Sequence, residues 1–319
     1  MKTLLAYDGS PYSDMATKVL MAFPLPPQAE VNVMTVVPHH TFLGGITFDR
    51  LTQTEAGRVT SHKAEEQRGI RLLRKPVETL KATGYTVNTS VCWGRPAEQI
   101  LKTACAMPAD LVAIGARGHV ESDRFPLGDV AHKVMKYAGC SVLLAKEPVG
   151  NIRRVLLATD GSEYSAAAAQ YLLELPLTRK AEVFLLAVLE SRIAAWMKTP
   201  TLNLERNQDL LAELQQAEEK EAKKLLNETR KPFKEGGYRV STLVLKGEPA
   251  EEILLAASTL NPELIVLGAK GLTGIERFLL GSVAQRVARF SPYSVLIVKR
   301  RSRLGRQPSA GSQARKRSR

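Results

Sequence analysis

The sequence predicts an α/β protein built from two tandem five-stranded, doubly wound parallel domains, and two observations carry that expectation. One is an internal duplication. Asp8-Gly-Ser10 returns as Asp160-Gly-Ser162, Gly94-Arg-Pro-Ala-Glu98 as Gly247-Glu-Pro-Ala-Glu251, and Ser141-Val-Leu-Leu144 as Ser294-Val-Leu-Ile297. A fourth anchor, Gly115-Ala-Arg-Gly118 with Gly128-Asp129 after nine intervening residues, returns as Gly268-Ala-Lys-Gly271 with Gly281-Ser282. The order is kept at an offset of 152 or 153 residues. That period is too long for a solenoid of short repeats and suits one ordinary globular unit. The other observation is periodicity. Short apolar runs alternate with stretches of helical spacing, and such alternation means parallel strands joined by right-handed crossovers.

Taken in order, strands are expected near 2–7, 30–37, 84–92, 110–115 and 141–146, and again near 153–159, 181–188, 238–245, 263–268 and 293–299. Pro11 and Ser13 open the first helix of one copy, and Ser162-Glu-Tyr-Ser165 opens its counterpart, with polar cap candidates in both. Residues 206–233 read as one long amphipathic helix, with Leu211, Leu214, Leu225 and Leu226 on or near its inner side. Glu219 stands at i,i+4 to Lys223 on that helix, the spacing of an ion pair. The domains are expected to span 1–148 and 151–300, followed by a tail, 301–319.

Composition bounds the function. At 319 residues and 44% hydrophobic content, the chain can bury two full cores. No apolar run reaches 18 residues, so no membrane-spanning helix is expected, and Met1 leads straight into the first strand without a signal-peptide layout. The cytoplasm is the expected compartment. Cys92, Cys105 and Cys140 show neither metal-ligand nor redox spacing and read as reduced, mostly buried thiols. Of the net charge of +13, seven positive charges come from residues 301–319, which include no acidic residue. That tail has one large apolar residue, Leu304, too little to fold alone, and no aromatic residue to stack on bases. It is expected to be a disordered, solvated tail with weak, nonspecific attraction to nucleic acid or an anionic membrane.

The chemistry concentrates in the glycine loops. Gly268 and Gly271 follow the apolar run ending at Leu267, and Gly281-Ser282 precede residues of helical spacing, 283–290. The glycines thus lie between the carboxyl end of a strand and the amino end of a helix, where open α/β sheets bind ligands and a helix dipole attracts an anion. Lys270 and Arg277 add cationic side chains nearby.

This spacing, G-x2-G-x9-G-[S/T] with an Asp after the first strand, resembles the universal stress protein family over essentially the whole chain before the tail. The resemblance implies a Rossmann-like sheet of order 3-2-1-4-5 and, in one subgroup, bound ATP. On that resemblance, the second-copy site comprises Asp160 near the ribose and metal-bound phosphates, Val188 at the adenine edge, and Gly268, Gly271, Gly281 and Ser282 at the phosphates. Lys270 supplies charge that the motif does not require. Mg²⁺ would arrive with ATP near Asp160, since no protein-only metal site is expected. A weaker first-copy site would use Asp8, Val36, Gly115, Gly118 and Gly128. There Asp129 replaces the hydroxyl residue; as a helix N-cap it is comfortable, but beside phosphate it has the wrong sign. The family also implies edge-to-edge pairing of last strands, here Ser141–Lys146 with Ser294–Lys299 inside one chain, with a further homodimer left open.

Catalytic residues are not expected. All five histidines, His39, His40, His62, His119 and His132, lie in the first half, so the second has neither His nor Cys. No Walker loop and no base for a γ-phosphate water is evident. Trp93 is expected at the sheet rim and Trp196 in a long connection, packed on its own domain. The reading is an ATP-binding regulator of the stress response whose loops shift with nucleotide; a slow ATPase and a nucleotide-free scaffold remain as alternatives.

Overall fold

A computed structural model describes residues 1–37, 41–42, 46–47, 55–118, 127–147, 150–178, 180–190, 208–272 and 280–300. The first half runs β1 (Lys2–Ala6), α1 (Pro11–Ala22), β2 (Glu30–Val37), β3 (Thr41–Phe42), β4 (Ile46–Thr47), α2 (Glu55–Lys81), β5 (Thr86–Trp93), α3 (Pro96–Ala106), β6 (Leu111–Gly115), α4 (Asp129–Tyr137) and β7 (Ser141–Ala145). The second runs β8 (Arg154–Ala158), α5 (Glu163–Glu174), β9 (Glu182–Leu189), α6 (Gln208–Glu235), β10 (Arg239–Lys246), α7 (Pro249–Leu260), β11 (Leu264–Gly268), α8 (Ser282–Phe290) and β12 (Ser294–Val298). Every expected strand is present, its ends within two residues of the expected ones. The small β3–β4 ribbon has no counterpart in the sequence reading.

Ten strands form one sheet in the order β10-β9-β8-β11-β12-β7-β6-β1-β2-β5. Counted within its own half, each set of five follows 3-2-1-4-5, with parallel neighbours. The halves join where β12 pairs antiparallel with β7, Leu296 opposite Leu143. Two strand edges that would otherwise stand open are thereby covered, and every residue of β7 and β12 is buried.

Strand alternation divides the core into two layers. Leu5, Leu143, Leu157 and Leu296 pack under α1, α2, α5 and α6 with Leu20, Leu80, Leu172 and Phe233. Leu4, Val142, Leu156 and Val295 face the opposite way, toward Ile100 of α3, Val134 of α4, Ile253 of α7 and Val287 of α8. In α6 the buried side is Ala222, Leu226 and Phe233, whereas Leu214 is 39% exposed. The reason is length: 28 helical residues extend about 42 Å at 1.5 Å each, against roughly 26 Å for the eight-residue strands beneath. The amino-terminal turns therefore overhang the sheet. The expected Glu219–Lys223 pair forms at 2.7 Å.

The helix starts refine the expected caps. Ser10, preceding Pro11, caps α1 by accepting the Ser13 N–H at 3.2 Å, and Ser162 does the same for α5 with Ser165 at 3.2 Å. Ser162→Ala is expected to cost about 1 kcal/mol. It should appear as a lower urea midpoint at unchanged slope, and an unmoved midpoint would show that the cap is dispensable.

Two half-buried lysines knit the halves together. Lys146, just past β7, donates from its ammonium to the carbonyls of Arg289 (3.4 Å) and Ser291 at the end of α8. Lys299, just past β12, donates to those of Lys136 (3.1 Å) and Ala138 (2.6 Å) at the end of α4. Their backbone N–H groups reach Ser294 Oγ (3.2 Å) and Ser141 Oγ (3.4 Å). Burial pulls both ammonium groups down to about 8. Arg117 adds to that effect at Lys146; at Lys299 the Cys140 sulfur opposes it and Lys270 adds to it. Across the same junction Gln285 Nε2 lies 3.3 Å from His132 Nε2.

Of the thiols, Cys140 alone is buried, and its burial pushes it up to about 11. Cys105 is exposed and Cys92 half-buried, so the expectation of mostly buried thiols is corrected: Cys105 lies on a solvent-facing part of α3. Trp93 ends β5, the outer strand, half-buried at the rim as expected. His39, His40, His119, Trp196, Arg277 and the tail lie outside the described residues, as do the side chains of His62 and Leu211.

Candidate functional site

The carboxyl ends of β8, β9 and β11 bring together the candidate residues of the second half. Ala158 stands opposite Leu186 at the end of that pairing, with Asp160 two residues beyond the one and Val188 two residues beyond the other. Asp160 is held by a tight turn in which Gly161 takes φ +80°, a left-handed conformation that glycine adopts without a steric penalty. One carboxylate oxygen accepts the Ser162 N–H at 3.0 Å, and the other accepts the Leu272 N–H at 3.0 Å. Asp160 therefore ties the start of α5 to the glycine loop after β11. The side chain is solvent-accessible, so its outer face remains open to a ligand.

The three glycines have different reasons. A Cβ on Gly268 would lie 2.6 Å from the carbonyl carbon of Tyr164, so this residue is required by the approach of α5 to β11. A Cβ on Gly271 would meet the Asp160 carboxylate at 2.7 Å. One on Gly281 would sit 3.3 Å from Lys270 Cα, filling the narrow space between the two arms of the loop. The arms are joined where the Gly281 N–H donates to Ala269 O at 2.7 Å. Gly281 is the N-cap of α8 and has no side chain to accept from the first-turn N–H groups; Ser282 follows as the first helical residue, exposed. Uncapped N–H groups, a hydroxyl and the positive end of a helix thus meet at one spot. Lys270 spans the rim, its ammonium 5.6 Å from the Tyr164 ring centre. Among the described residues, no cluster of His, Cys, Asp or Glu is arranged to hold a metal ion.

The first half repeats this geometry with one changed sign. Asp8 accepts from Ser10 N–H (3.0 Å) and Ser10 Oγ (2.6 Å), and a Cβ on Gly118 would come within 3.0 Å of its other oxygen. Gly115 is close to the Tyr12 carbonyl, Val36 lies near the end of β2, and Gly128 N–H donates to Ala116 O at 2.8 Å. Asp129, expected as the helix cap, is instead the first residue within α4; Gly128 holds the cap position, and no side chain caps there. The backbone turn that α8 uses is preserved, which moves the carboxylate one residue inward. Asp129 is 72% exposed and pairs with Lys133 at 2.7 Å.

Sequence reasoning missed a link in the second half that the first lacks. Arg286, one turn into α8, pairs with Glu248 at 3.0 Å and Glu251 at 2.6 Å, fastening the loop helix to α7. At the matching positions of the first half, Arg95 pairs with Glu98 and Lys133 with Asp129. Aligning the copies reveals the difference, since Glu248 and Arg286 replace Arg95 and Lys133. A second missed contact joins Arg300 to Glu163, beside the Asp160 turn.

These features define a duplicated α/β protein of the kind that holds ligands at the carboxyl ends of its strands. The sequence model of the universal stress protein family matches residues 1–146 and 151–299. The chain belongs to that family, as a tandem member. A universal stress protein of Methanocaldococcus jannaschii is 35% identical over 148 residues, 46% of this chain and 82% of its own length. One from Bacillus subtilis is 32% identical over 147 residues, 46% of this chain and 98% of its own. Over both halves, the crystal structure of a universal stress protein from Archaeoglobus fulgidus aligns with a TM-score of 0.62 at 22% identity, covering 94% of this chain and 96% of that one, a likeness of fold. Among the described residues no helix is long and apolar enough to cross a membrane.

Proposed function

We propose that the chain is a cytoplasmic regulator of the stress response that binds an adenine nucleotide, ATP with Mg²⁺, chiefly in its second half. Residues 1–148 and 151–300 serve as its two domains. The phosphates would lie against Gly271, Gly281, Ser282 and Lys270, the ribose near Asp160 and the base edge near Val188, with Gly268 holding the loop's root. The observation that carries this reading is the start of α8: a glycine cap, a hydroxyl residue and a narrow gap that any Cβ on Gly281 would enter. Asp160 would be the residue that holds the Mg²⁺ accompanying ATP, and the ion would supply positive charge to offset that of the phosphates. The residues' own part is to bind and orient. Copy two has no His or Cys to act as base or nucleophile, which favours binding over turnover.

Thermal unfolding with rising Mg-ATP tests the proposal. A ligand at 100 times its Kd stabilises by about 2.7 kcal/mol, so the melting temperature should climb with concentration. No rise at millimolar Mg-ATP would overturn nucleotide binding and favour the scaffold reading; phosphate release during long incubation would favour the slow ATPase.

A further inference from the structure

The helix that opens at Gly281 and Ser282 closes at Arg289–Ser291, and what it meets there comes from the other half of the chain. The Lys146 ammonium donates to two carbonyls at that end, and Lys299 does the same for α4. Helix carbonyls at the carboxyl end carry partial negative charge and N–H groups at the amino end partial positive charge. A cation held at one end and an anion held at the other therefore favour the same helix placement. Nine residues separate these ends by only about 13 Å. Because β7 and β12 run antiparallel, the carboxyl end of α8 lies at the loop edge of the first half. There Ala145, immediately before Lys146, accepts the N–H of Ala116 from the first glycine loop at 2.9 Å.

Packing alone does not account for these lysines. Among the described residues neither ammonium has a carboxylate within ion-pairing distance; helix carbonyls are what each one meets. Drawing a cation even partly out of water without an anionic partner has a cost that an apolar side chain of similar length would not carry. The arrangement also occurs twice, reciprocally, at positions 153 residues apart.

We propose that Lys146 and Lys299 are positioning residues for the two loop helices, so that the nucleotide site of the second half is completed by the first half through Lys146. This inference rests on the nucleotide reading above and adds a requirement to it. In the full chain, Lys146→Met is expected to weaken Mg-ATP binding, measured by calorimetry, roughly three- to thirtyfold, the range of a partly buried helix-end charge. Lys146→Arg should recover most of that affinity by restoring the cation. His132→Ala, which removes the contact to Gln285 across the same junction without touching the carboxyl end of α8, should leave it within about twofold. Should Lys146→Met fail to fold, Lys146→Gln keeps a donor while dropping the charge, and should bind more weakly than Lys146→Arg. Equal losses from Lys146→Met and His132→Ala would mean general loosening of the junction and overturn the proposal. Unchanged affinity in a folded Lys146→Met or Lys146→Gln chain would overturn it while leaving nucleotide binding intact. A wild-type chain that binds no nucleotide would overturn both.

Discussion

Gly268→Ala is expected to destabilise the second half by about 1–3 kcal/mol, the usual cost of forcing extra atoms into a packed core. For a unit of this size each kcal/mol lowers the melting temperature by roughly 2–4 °C. The added methyl would meet Tyr164 C at 2.6 Å, Tyr164 O at 2.7 Å and Ser165 N at 2.8 Å. All three are backbone atoms at the start of α5, so no side chain can swing aside. Relief requires the helix to move from β11, and Ser162 and Asp160 would move with it. Nucleotide affinity should therefore fall together with stability. Gly139→Ala is the control: nothing lies within 4 Å of its Cβ position, and the change should stay within about ±0.5 kcal/mol. A Gly268→Ala chain as stable as the control would show that the loop glycine is needed only for ligand approach.

That distinction marks how far the sequence could be read. Glycine spacing located the loop, but not why each glycine is there. The same pattern serves a helix–strand contact at Gly268, a carboxylate contact at Gly271 and a narrow turn at Gly281, and only three-dimensional placement separates them. Strands were legible because buried parallel strands are short apolar runs such as Ser294-Val-Leu-Ile-Val298, with turn residues on either side. The burial of α6 was less so: Leu214 has the helical spacing of a core residue but is exposed, on a helix longer than the strands it packs against. Asp129 was misplaced by one residue because its charge suggested a cap, whereas Gly128 already holds the required extended backbone, φ −69° and ψ 151°. Lys146 and Lys299 were visible as a repeated Ser-x4-Lys, yet a lysine after a strand ordinarily reads as a solvated end. Their contacts are to helix ends of the other half, so they form where the two halves pair, which no local pattern encodes.

Ser282→Asp is expected to abolish nucleotide binding in a folded chain, by reproducing in the second half the sign found in the first. Two like unit charges about 4 Å apart at an effective dielectric of roughly 20 repel by about 4 kcal/mol, close to a thousandfold in affinity. The fold should tolerate the change, because an acidic residue in the first turn of a helix is favourable by about 0.3–1 kcal/mol. The neutralising partner found in the first half is not reproduced at the matching position. In the first half Lys133 stands 2.7 Å from Asp129, but Arg286, at the matching position, is already engaged by Glu248 and Glu251. Asp129→Ser is the reverse experiment. It removes the carboxylate from a helix start whose glycine cap and Asp8–Gly118 contact match those of the second half, and it releases Lys133 toward solvent or ligand. Calorimetric titration should then give one Mg-ATP per wild-type chain, none for Ser282→Asp and a second, weaker site for Asp129→Ser. Two equal sites in the wild type would overturn the asymmetry outright, because the Asp129 carboxylate would then be compatible with bound phosphate.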